Sequence, residues 1–268
     1  MKQRVFAAVL AILINLTWSG SSSAVPLAES LAHQVSYHLE HESVGQGEPV
    51  LVDVDLENLT SSPTEIGLGG DGNGNIDIKL VKPDGERVAR RPIDGRNRLV
   101  FSGKVHLEPG GTYREVIVLN EWVDFDQIGS YVVEMGLKSS PSLMVRLDVK
   151  VSAKDISVLE LRCSELLSRI TGEASAQESI ASAKALSFID DPIVVPYWEK
   201  LLDRSDFGDN AVSALARVGN NAAAKALISK MDIADQQIRE SIRRALRTLS
   251  DRTNDESLKT SIDEALKK

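Results

Sequence analysis

The run Gly69-Gly70-Asp71-Gly72-Asn73-Gly74-Asn75-Ile76-Asp77 sets carboxylate and amide oxygens among glycines. Gly67, Gly69 and Gly72 spell G-x-G-x-x-G, a phosphate-cradling spacing. Asp71, Asn73, Asn75 and Asp77 fall at alternate positions, as the oxygen ligands of a calcium loop do. A dinucleotide fingerprint must open a helix. Here the chain continues as Ile76-Asp77-Ile78-Lys79-Leu80, the alternation of a strand, which excludes that use. An EF-hand loop needs Gly at its sixth position and Glu at its twelfth. Counted from Asp71, those positions hold Ile76 and Lys82. A calcium β-roll needs Asp where Gly74 stands, and tandem copies that the sequence lacks. The reading left is a turn-rich connection between strands, with Asp71, Asn73, Asn75 and Asp77 as candidates for a non-standard calcium site.

Other reactive residue types form no recognised constellation. His33, His38 and His41 cluster with Glu40 and Glu42, and His38, Glu40 and Glu42 would share one face of an extended strand. Imidazole with carboxylate suits zinc; a polar outer face near the amino terminus explains the same pattern and is favoured. The sole cysteine, Cys163, excludes an intramolecular disulfide. It lies on a helical stripe with Ile156, Leu159, Leu166 and Ile170, far in sequence from every histidine, so a small buried hydrophobe is expected. No G-x-S-x-G, H-E-x-x-H, C-x-x-C or Walker loop occurs. No catalytic residue and no cofactor is assigned. Asn58-Leu59-Thr60 fits a glycosylation sequon and is read as a turn.

Around these residues the chain has a definite order. Met1-Lys2-Gln3-Arg4 precedes an apolar run from Val5 to Trp18 and small residues to Ala24. That is the layout of a secretory signal peptide, with cleavage expected after Ala24, and an uncleaved anchor as the alternative. No second apolar span follows, and no membrane insertion is expected after cleavage. The net charge of −8 becomes −10 without Lys2 and Arg4. An acidic balance argues against nucleic acid and against an anionic membrane surface. The length of 268 residues leaves room for two domains.

From 34 to 152 the pattern has period two. Val52-Asp53-Val54-Asp55-Leu56-Glu57 and Leu143-Met144-Val145-Arg146-Leu147-Asp148-Val149 alternate apolar and charged residues, as strands with one face in a core do. Lys82-Pro83-Asp84-Gly85 and Glu108-Pro109-Gly110-Gly111 are turn signals. Asp126-Gln127-Ile128-Gly129-Ser130-Tyr131 resembles the tyrosine corner of immunoglobulin-like sandwiches. With the early strand Val44 to Thr60, the region resembles the Ig-like domains of exported bacterial proteins, which implies an antiparallel β-sandwich.

From 154 to 268 the period becomes helical. Ala185-Leu186, Ala214-Leu215 and Ala245-Leu246 recur at offsets of 29 and 31 residues, and turn signals follow the first two. Asp191 is a good N-cap before Pro192, and Pro196 should shift the start of the next helix. The stretch Asp190 to Gly219 resembles short HEAT-type repeats, although the usual Val-Arg pair is missing; the resemblance implies an α-helical solenoid. Asp255 to Lys268 reads as a closing helix with Leu258, Ile262 and Leu266 inward. The segment Asp155 to Thr171 either caps the other end or packs on the sandwich.

Trp198 is expected in the core, whereas Tyr197 is expected to be partly exposed on a binding face. Arg239, Arg243, Arg244 and Arg247 could grip an acidic partner, although a solvated face is the simpler explanation. The chain therefore reads as an exported bacterial protein, periplasmic or secreted, that binds another protein without catalysis through Tyr197, Arg239, Arg243 and Arg247. A calcium- or small-ligand-binding sandwich is the alternative, as is a protease-inhibitor-like domain.

Overall fold

The computed structural model describes residues 33–67, 76–89, 104–138, 144–232 and 235–267. The leader and the candidate ligands Asp71, Asn73 and Asn75 lie outside the described residues. The strands are β1 (His33–Leu39), β2 (Ser43–Gly45), β3 (Leu51–Asn58), β4 (Thr64–Gly67), β5 (Ile76–Val81), β6 (Arg87–Ala89), β7 (Lys104–Leu107), β8 (Thr112–Val118), β9 (Gly129–Leu137) and β10 (Val145–Ser152). They form a sheet ordered β1-β3-β8, a second ordered β2-β10-β9-β5-β6, and the separate pair β4-β7.

Alternation explains the sandwich. Val52, Val54, Ile78, Leu80, Tyr131, Val133, Met135, Val149 and Val151 point into one core between the two larger sheets, while Asp53, Asp55 and Glu57 stay partly open to solvent. Each such apolar side chain, fully buried, stabilises the fold by about 1.5–3 kcal/mol. Leu56, Ile66 and Leu107 form a smaller core beneath β4 and β7. One pairing departs from the expected antiparallel plan: β2 runs parallel to β10, Val44 opposite Val151. β2 is only three residues long and comes from a separate part of the chain, so it is free to join the edge in either direction.

The tyrosine corner is present. The Tyr131 hydroxyl accepts the Gln127 N–H at 2.6 Å and donates to the Gln127 carbonyl at 3.0 Å. Phe125 stands edge-on to its ring at 5.2 Å. At the turn between β5 and β6, Gly85 takes φ +86° and its N–H reaches the Lys82 carbonyl. Asn58 is fully buried, and its side-chain amide donates to the Ser62 and Leu107 carbonyls, so it serves as a turn anchor.

The helices are α1 (Ile156–Thr171), α2 (Ala176–Ser187), α3 (Val195–Glu199), α4 (Gly208–Val218), α5 (Asn221–Lys230), α6 (Gln236–Arg252) and α7 (Glu256–Leu266). Leu186, Leu215 and Leu246, the repeating leucines, sit one each on α2, α4 and α6, and all are fully buried. Packing runs α2 to α4 to α6 in one layer and α3 to α5 to α7 in the other, as stacked helical hairpins require. The starts are capped. Asp155, Asn220, Asp235 and Asp255 accept N–H groups of the first turns, and Ser175 with Glu178 forms a capping box. Asp191 caps a 3-10 turn at Pro192–Val194, which places Pro196 in the first turn of α3, where a missing N–H does no harm. Gly219 ends α4 at φ +62°. Leu258 and Ile262 face inward on α7.

α1 serves both of its expected roles, packing on α2 and against the sandwich. Its stripe is Leu159, Cys163, Leu166 and Ile170. Ile156, expected on that stripe, is instead 50% exposed at the first residue of the helix.

Candidate interaction surface at the sandwich–helix junction

The junction is built around Glu40, the residue following β1. Its N–H donates to the Leu51 carbonyl, one step beyond the last β1–β3 pair, and its side chain reaches α1. The placement of His38, Glu40 and Glu42 on one strand face is corrected: β1 ends at Leu39, and Glu42 lies outside it. Glu40 Oε1 accepts Arg162 Nη1 at 2.8 Å and Arg169 Nη2 at 2.6 Å. Arg162, only 3% exposed, also reaches Glu165 at 3.2 Å. Burial alone would raise the Glu40 pKa; the hydrogen bonds and charges of the two guanidinium groups outweigh it and hold the carboxyl at about 2.

A second cluster lies on the β8 side. Lys184 of α2 pairs with the buried Glu121 at 3.0 Å. Burial pushes the neighbouring Glu115 carboxyl up, Lys184 opposes that shift, and Glu121 adds to it. Gln177 donates to the Tyr113 hydroxyl at 3.2 Å, and Lys154 pairs with Asp191. Leu51 and Val118 from the sandwich belong to the same buried cluster as the helices. Apolar contact and ion pairs together fix the sandwich on α1 and α2.

Beside this junction α1 shows an apolar outer face. Val158 and Leu161 are 45% and 60% exposed and lie one turn apart. They edge an open cleft of about 380 Å³ whose other wall is His41, Val44, Glu48 and Ala153. The sequence reading missed this face, because Val158 and Leu161 interrupt the polar side of α1 without forming a stripe of their own. The only available signal was their place off the stripe that buries Cys163.

The residues expected to bind a partner are dispersed. Tyr197 is corrected: it is 8% exposed, its hydroxyl bonded to the Glu160 carbonyl and to Ser164, because α1 covers it. Arg239 donates to the Met231 carbonyl. Arg243 pairs with Glu240 at 3.1 Å, and Arg247 is exposed. Arg244 edges a groove of about 400 Å³ between α4 and α6. Among the described residues, no group of three or more His, Cys, Asp or Glu side chains is placed to hold a metal ion. Asp77 pairs with Lys79 at 3.5 Å, and His41 stands 3.6 Å from Glu40. Cys163 is fully buried, and desolvation pushes its thiol up to about 12, which removes its nucleophilic form. Among the described residues, no helix is long and apolar enough to cross a membrane.

A β-sandwich joined by ion pairs and apolar contacts to a stack of helical hairpins, with an apolar face at the join, defines a two-part architecture. Residues 34–161 match the family model described as flagellar collar protein C, N-terminal domain. The match spans the sandwich and the first turns of α1, a little under half of the chain. No curated protein sequence matches the chain. Among solved structures, a mutant β-glucosidase from Listeria innocua in complex with laminaribiose is 15% identical, with 46% of this chain and 16% of that chain covered and a TM-score of 0.31. An alkylpurine DNA glycosylase from Pseudomonas fluorescens is 16% identical over 44% of this chain and 30% of that one, with a TM-score of 0.29. A CARDB domain from Pyrococcus furiosus, solved with di-metal ions, is 15% identical over 45% of this chain and 87% of that domain, with a TM-score of 0.25. The chain thus spans about a sixth of the length of the β-glucosidase.

Proposed function

We propose that this protein is an exported, non-catalytic scaffold subunit of a bacterial flagellar collar, in which the sandwich and the helical array act as one rigid piece that binds other proteins of the assembly. The observation that carries this reading is the flagellar collar family match across residues 34–161, which takes in the sandwich together with Glu40 and the exposed Val158 and Leu161. The secretory layout of Met1 to Ala24 supports a periplasmic place, and the acidic charge favours protein over nucleic acid. The helical layers supply a HEAT-like surface for the contacts.

The test is genetic and structural. The gene is deleted in the source bacterium, and motors are imaged in place by electron cryotomography; a tagged copy is followed by fluorescence. The reading expects loss of collar density and tagged foci at the motors. Motors with an unchanged collar, or a tag spread evenly through the envelope, would overturn it.

A further inference from the structure

Glu48 is a buried carboxylate without a cation. It is 8% exposed, and the turn Gly45-Gln46-Gly47-Glu48 holds it in place. The Glu48 N–H donates to the Gly45 carbonyl at 3.0 Å, and Glu48 Oε1 accepts the Gly45 N–H at 2.7 Å. A Cβ at Gly45 would stand 2.7 Å from Oε1, so glycine makes room for the carboxyl. Oε2 has no partner among the described residues, and Glu48 lines the cleft beside α1. Charges enclosed in protein are ordinarily paired. Asp155 and Glu165, on the same cleft, also use one oxygen each: Asp155 Oδ1 caps α1, and Glu165 Oε2 meets Arg162. The two basic groups of the lining do not answer Glu48, since Arg162 is enclosed on Glu40 and Glu165 and His41 stands by Glu40. Val44, Val158 and Leu161 supply the apolar part of the lining.

We propose that this cleft docks a partner protein through a segment in which a lysine or arginine stands beside an apolar residue. The cationic head meets Glu48 Oε2 in a charge-assisted hydrogen bond, and the apolar neighbour rests on Val158 and Leu161. The lining selects this occupant. An acidic segment would face Glu48, Asp155 and Glu165 with like charge. A purely apolar one would seal Glu48 from water with no counter-ion, which is strongly unfavourable. Among the described residues no three acidic, histidine or cysteine side chains are placed to hold a metal ion, so the matching cation is an organic one. A long basic side chain meets both needs of the cleft, its methylene stem lying on apolar surface and its head on the carboxylate. The proposal rests on the cleft alone and stands or falls apart from the flagellar reading.

The test is selection from a displayed library of random decapeptides, using the chain purified from cells. Glu48→Gln and Leu161→Ser are run in parallel, with Asp251→Asn on the exposed surface of α6 as a control of equal charge change. Glutamine keeps an acceptor for the Gly45 N–H, and unchanged thermal melts check that every variant folds. The wild type and Asp251→Asn should select peptides with Lys or Arg beside Leu, Ile, Val, Met or Phe. Glu48→Gln should lose the preference for the basic residue, and Leu161→Ser the preference for the apolar one. By fluorescence anisotropy, the strongest selected peptide should bind Glu48→Gln about tenfold or more weakly, and should bind the wild type more weakly as salt rises. Spermidine, which has the charge without the apolar neighbour, should displace it only at about tenfold or more the concentration of unlabelled peptide. No enrichment over the starting library, basic enrichment that survives Glu48→Gln, or displacement by spermidine as readily as by unlabelled peptide would each overturn the proposal.

Discussion

Glu40 and Arg162 are 122 positions apart in sequence and 2.8 Å apart in space, where they tie the first strand of the sandwich to the first helix of the array. Arg162 is almost fully enclosed, and its Nε and Nη2 have no partner among the described side chains and backbone. The guanidinium therefore depends on the carboxylates at Nη1.

Glu40→Gln should cost roughly 2–3 kcal/mol of folding stability at neutral pH, since it removes the more buried of the two carboxylates on the enclosed Arg162 and leaves only the more exposed Glu165 to balance it. Urea unfolding of wild type and variant checks this. The loss should be smaller in a Glu40→Gln, Arg162→Met double variant, where no buried charge remains.

The same pair sets an acid limit. Glu40 is held at about 2 in the folded protein against an ordinary 4.5. A depressed carboxyl contributes stability above the unfolded value and loses it as pH falls through the folded one. Its contribution, roughly 3 kcal/mol, should be complete above about pH 4.5 and decline toward pH 2. Melting curves against pH should show wild type and Glu40→Gln converging at the acid end.

Tyr131→Phe removes both hydrogen bonds to Gln127 but keeps the ring against Phe125. It should lower stability by about 1–2 kcal/mol and leave the circular dichroism spectrum unchanged. A loss below measurement error would show that the corner bonds add nothing net.

Cys163 should resist iodoacetamide in the native chain and react fully once unfolded, because burial raises its thiol to about 12. Mass spectrometry of the alkylated chain, with and without guanidinium, reads this directly.

The sequence was most informative where structure is local. Alternation placed Val52, Val54 and Leu56 in a core; the repeating leucines marked α2, α4 and α6; the spacing of Gln127 and Tyr131 marked the corner. Glu40 was read as a strand-face polar residue because its partners, Arg162 and Arg169, are far along the chain and converge on it only through tertiary packing. Tyr197 was misplaced for the same reason, its cover being α1 rather than a neighbour in its own hairpin. The parallel seating of β2 depends on a connection that carries no periodicity.

Leu51 and Val118 lie on sandwich strands yet are buried in the core of the helices. The short link from Ala153 to Asp155 is therefore bridged by packed side chains on either side. Contacts run from α7 through α6, α4 and α2 to β8 without a break. Swinging the helices away from the sandwich would therefore expose Leu51 and Val118 to water, so the short link has less freedom than its length alone would give it.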